Sequence, residues 1–158
     1  LHPAAVVAPL WWRMAALLGL VSVFVQCLLG GRMATAWAGQ RCLAGGEACD
    51  LVLSHRVTAM PVAVVVLAFA GAALLAGGWA RQQWPWLGGA VLLVLVQLAL
   101  GVLTLRLGLS QPAVTVAHQF VAALLIALMA ALLVRSPDLP SPSRSVVLDD
   151  TSLEACHG

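Results

Sequence analysis

His55 and His118 are the side chains whose type and spacing most directly suggest chemistry. Each lies near the start of a long apolar stretch. An imidazole placed in a membrane helix finds no free hydration there and is a functional-site candidate by default. The two stretches are the second and fourth of four, so they run in the same direction. Both rings therefore fall near one face of the membrane, at similar depth. Two helical histidines facing each other at one level of a bundle can ligate a haem iron from both sides. Neutral imidazole is the ligating form, and its other ring nitrogen then needs an acceptor. The plain alternative is a pair of polar residues hydrogen-bonded in a bundle interior or reaching to the interface.

The elements that must position this pair are read from composition. Of 158 residues, 62% are hydrophobic and only 9% charged, against about 25% charged in a soluble domain. Four segments approach the ~20 apolar residues needed to cross a bilayer: Leu10–Gly31, Val57–Gly78, Trp84–Leu105 and Ala113–Val134. The expectation is an all-α membrane protein, a four-transmembrane-helix bundle. Residues 1–9 form an N-terminal segment, 10–134 the haem-binding domain, and 135–158 a flexible tail, rich in Pro and Ser over Pro137–Pro142. The chain begins at Leu1 rather than Met, which points to a fragment of a longer protein or to a half-size chain that pairs with a second copy.

The basic residues are eight arginines spread thinly along the sequence, so a nucleic-acid partner has no support. They also leave orientation open. Arg13, Arg81, Arg135 and Arg144 lie on the side of the termini; Arg32, Arg41, Arg56 and Arg106 lie on the other. That is a tie under the positive-inside rule. Cys42 and Cys49, close enough to pair, break it, because disulfides persist on the oxidising side. This places their loop outside and the termini in the cytoplasm. A structural bond and a redox-active one both stay open for the pair. Cys27 reads as a small core residue, and Cys156 and His157 are too isolated to form a site.

The chain also repeats itself. Val25-Gln26-Cys27-Leu28-Leu29-Gly30 and Val96-Gln97-Leu98-Ala99-Leu100-Gly101 are both V-Q-x-x-L-G, late in the first and third segments. Each is followed by a loop and a helix with an early histidine. The bundle is thus expected to be two copies of one helical hairpin. Gln and Gly four apart share a helix face, and Gly lets neighbouring backbones approach closely. It also leaves room for a flat macrocycle. Gln26 and Gln97 are candidate partners for the second ring nitrogen of each histidine, or simply interhelical hydrogen-bonding residues. Arg56, Arg32 and Arg106 lie on the histidine side, where arginine can pair with the propionates of a b-type haem. Equally, they can anchor helix ends to lipid headgroups.

In combination these residues resemble the haem A synthase family. The features are Q-x-x-L-G closing the first helix, a Cys pair in the outer loop, Ser54-His55-Arg56 at the second helix, the repeated Q-x-x-L-G, and Ala117-His118-Gln119 in the fourth. Members of that family have eight membrane helices in two homologous halves, each with a His pair, and this chain covers one half. The resemblance implies that one half handles haem O and the other holds haem b. It also implies oxidation of a haem O methyl group to the formyl of haem A, supplying cytochrome oxidase. The substrate half carries a Glu three residues before its first His; Val52 stands there in this chain, with Asp50 five back. By resemblance this is the haem-b-holding half: His55 and His118 are axial ligands, Cys42 and Cys49 the outer-loop pair, and no catalytic residue is present. Haem O would meet it through the missing half or a dimer partner.

Three other readings compete. A four-helix b-type cytochrome passing electrons in the membrane would share the His pair. A quinone-linked disulfide oxidoreductase needs cysteine pairs in both outer loops, and the second, around Gly108–Pro112, has none. A scaffold that binds nothing would show no haem absorbance.

Overall fold

The computed structural model describes residues 8–35, 38–42, 47–107, 111–135 and 137. Six helices follow one another: α1 (Leu10–Thr35), α2 (Ala38–Arg41), α3 (Glu47–Ala76), α4 (Gly78–Gln82), α5 (Trp84–Arg106) and α6 (Pro112–Val134). There is no strand among the described residues. Four of the helices, α1, α3, α5 and α6, are long and apolar enough to cross a bilayer. An unbroken helix is the natural form for such a segment, because it satisfies its own backbone polar groups where lipid offers no partner. The protein is an all-α four-helix membrane bundle. Residues 1–7 and most of the tail lie outside the described residues, as do 108–110 in the second outer loop.

Two helices are longer than the apolar runs that announce them. Helix α1 continues to Thr35 rather than stopping at Gly31, and α3 starts at Glu47, ten residues before Val57. Hydropathy marks where the bilayer begins, whereas the backbone ladder runs on through Asp50, Ser54, His55 and Arg56. His55 therefore sits more than two turns inside α3, at about 3.6 residues per turn. Pro61 lies within α3, as membrane helices tolerate. The other end of α3 is set by glycine. Gly77 and Gly78 adopt φ of 70° and 52°, the left-handed region that only glycine enters freely. They turn the chain into α4 and then α5, which starts with Pro85 in its first turn; α6 likewise opens on Pro112. Proline suits those positions because the first-turn N–H has no helical partner.

Helix α1 packs on α3 and α6, and α5 packs on the same two. Helices α3 and α6, which carry the histidines, therefore stand at opposite corners of the bundle. The fully buried residues gather toward the other end: Trp12 and Ala16 on α1, Val66 and Phe69 on α3, Leu87 on α5, Met129 and Leu132 on α6. Trp12 is completely buried. Its indole N–H donates to the Leu132 carbonyl at 2.8 Å, and its ring meets those of Phe69 and Trp79 at centroid distances of 4.8 and 4.9 Å. Gly19 lets Met129 lie against α1, since a Cβ there would fall 2.5 Å from the Met129 methyl.

Candidate functional site

Gln26 lies 14 residues along α1 from Trp12, about 21 Å at ~1.5 Å per residue. There the side chains are more exposed. Gln26, Gly30, His55, Thr58, Ala59, Gln97, Gly101, His118, Val121 and Ala122 are all half-buried, and the buried residues of each long helix end three or four positions before them. At this level each hairpin joins its own Gln, Gly and His. In the first, the Gln26 amide donates to the His55 carbonyl oxygen at 2.7 Å and lies 3.2 Å from His55 Nδ1. A Cβ on Gly30 would sit 3.0 Å from His55 Cε1. In the second, the Gln97 amide lies 3.3 Å from His118 Nε2, and a Cβ on Gly101 would sit 3.4 Å from His118 Cε1. The repeat read in the sequence is thus a repeat of contacts.

The hairpins differ in one respect that sequence reasoning missed. Thr58, three residues after His55, donates its hydroxyl to Gln26 Oε1 at 2.7 Å. That bond holds the Gln26 carbonyl away from the ring and leaves the amide N–H facing it. Gln26 is thus a donor toward His55 here, not the acceptor the sequence suggested. The matching position after His118 is Val121, which has no hydroxyl to offer. As a result Gln97 Oε1 is buried without a hydrogen-bond partner among the described residues, and so is His118 Nδ1. Each such group costs about 1–3 kcal/mol. The available signal for Thr58 was its position, i+3 from His55 on the same helix face.

The remaining candidates surround this level without entering it. Arg32, Arg56 and Arg106 are exposed, toward the same end of the bundle as the histidines. Cys42 and Cys49 have their sulfurs 2.00 Å apart, tying the end of α2 to the first turn of α3. Cys27 is the free cysteine among the described residues and is half-buried on α1. Cys156 and His157 lie outside the described residues, as do Ser136 and the Pro140–Pro142 stretch. No cluster of three or more His, Cys, Asp or Glu side chains forms a metal site among the described residues. A two-histidine haem needs no such cluster.

The donor set fits a haem on this chain's own terms. The two imidazoles sit on diagonal helices, one ring nitrogen of His118 is buried and unpartnered among the described residues, and each ring lies against a glycine. Comparison with family models, with curated proteins and with solved structures found no match for this chain.

Proposed function

We propose that this bundle holds one b-type haem between α3 and α6, with His55 and His118 as its axial ligands. We further propose that it acts as the haem-b-binding half of a haem A synthase-like membrane protein. The observation that carries the reading is the doubled Gln–Gly–His arrangement on opposite corners of the bundle. A bound haem b would supply one-electron chemistry; the chain supplies ligation, orientation and a low-dielectric setting. Were His55 Nε2 to hold the iron, the ring proton would sit on Nδ1, and Gln26 could accept it by turning its amide oxygen toward the ring. Thr58 can release Gln26 for this turn, because its hydroxyl also lies 2.7 Å from the Ser54 carbonyl. Gln97, which lies at His118 Nε2, has no such restraint and could present Oε1 to that nitrogen, leaving Nδ1 as the ligating atom. Arg32, Arg56 and Arg106 are exposed arginines toward this end, and a guanidinium pairs well with a propionate.

Under this reading the chain lies in the cell membrane with termini in the cytoplasm and the Cys42–Cys49 loop outside. Val52 in place of a carboxylate means that oxidation of haem O depends on a partner half that carries the Glu. The test is a reduced-minus-oxidised difference spectrum of the purified chain, followed by a haem O conversion assay with and without a half that carries the Glu. The reading requires a low-spin haem b signal lost in both H55A and H118A, and conversion only when the Glu-bearing half is present. A haem signal with no conversion in either arm would favour the electron-transfer cytochrome. A colourless protein would remove both readings.

A further inference from the structure

We propose that the groove between α1 and α6, at the end of the bundle away from the histidines, holds one anionic phospholipid whose phosphate is gripped by Arg135 and Arg13. The groove has a volume of about 600 Å³ and is lined by Leu10, Arg13, Met14 and Leu17 on α1, by Val134 at the end of α6 and by Arg135 just after it. Residues 10, 13, 14 and 17 share one stripe of their helix, so an apolar track runs down from the arginines toward the bilayer centre. Such a shape matches a charged headgroup with an acyl chain below it.

The arginine of α6 is built to receive a phosphate. Arg135 Nε donates to Gln83 Oε1, and its guanidinium carbon stacks 4.6 Å over the Trp86 ring. Gln83 is itself 7% exposed, the buried polar residue of the described core. With Nε tied back and the plane fixed on an aromatic face, both terminal nitrogens of Arg135 remain to form paired hydrogen bonds with an oxyanion. Arg13 is exposed across the groove. No carboxylate neutralises the pair among the described residues, since Glu47 and Asp50 lie at the opposite end. Trp11, Trp84 and Trp86 are partly exposed at this end, and tryptophan at that level marks a membrane–water interface. Anionic headgroups reside there.

The site is independent of the haem reading, so a colourless protein would still show it. The full chain, purified in detergent, is exposed to dioleoyl phosphatidylglycerol or dioleoyl phosphatidylcholine and examined by native mass spectrometry. The expected result is one retained phosphatidylglycerol per chain, at least threefold over phosphatidylcholine. That preference should disappear in R13Q and persist in R81Q, an arginine at the same end but outside the groove. Arg13 has no side-chain partner among the described residues, so R13Q should fold; R135Q should lose the preference as well. Equal retention of the two lipids, or equal loss in R13Q and R81Q, would overturn the proposal.

Discussion

The two ends of this bundle are built on opposite principles. Around Trp12 every long helix contributes a fully buried residue, and the indole N–H has a partner. Around His55 and His118 the same helices contribute half-buried side chains, and two buried polar atoms have no partner. In lipid, helices gain little from excluding water and associate through packing and hydrogen bonds. The tryptophan end can therefore hold the helices together while the residues of the histidine end remain half-buried. The comparison teaches that stability and the proposed ligand site are separable along the bundle axis.

Substitutions at each end should sharpen that separation. The largest effect is expected at the packed end. W12A removes a buried ring and its hydrogen bond and should destabilise by about 3 kcal/mol or more, seen as a lower thermal midpoint of the purified chain. H118A at the other end should leave that midpoint within a few degrees when no haem is bound, because loss of the Gln97 contact is offset by removal of a buried unpartnered nitrogen. If H118A destabilises the haem-free chain as much as W12A, the division between the ends fails.

A smaller effect is expected at Gly30. A methyl there must push the His55 ring by a few tenths of an ångström, given the 3.0 Å approach to Cε1. G30A should shift the position or width of the haem absorption bands, whereas G101A, with 3.4 Å available, should shift them less. An ordering of the reverse kind would mean that the rings move on ligation. The mildest change is T58V, which copies Val121 of the second hairpin. It frees Gln26 and should cost about 1 kcal/mol, the usual net worth of one hydrogen bond, read from the same melting curve.

Much of the fold was legible in the residues, because a span of about 20 apolar residues leaves the backbone few choices. The repeat, too, could be read from V-Q-x-x-L-G. The extents of α1 and α3 could not, since hydropathy reports the bilayer rather than the helix. The Thr58–Gln26 bond was hidden because a threonine on a helix can bond its own i−4 carbonyl equally well, and the Ser54 carbonyl lies at the same 2.7 Å from the Thr58 hydroxyl. Arg135 seemed from sequence to open a flexible tail, yet it is docked on Gln83 and Trp86. Gln83 occupies a polar break between two spans, and only the folded bundle shows that it faces inward.

The most direct test of the central claim is electron paramagnetic resonance of the ferric chain after reconstitution with one equivalent of haem b. The account predicts a low-spin spectrum of two-imidazole ligation, converted to high spin by H55A and by H118A alike. A spectrum that stays low-spin in either variant would contradict it.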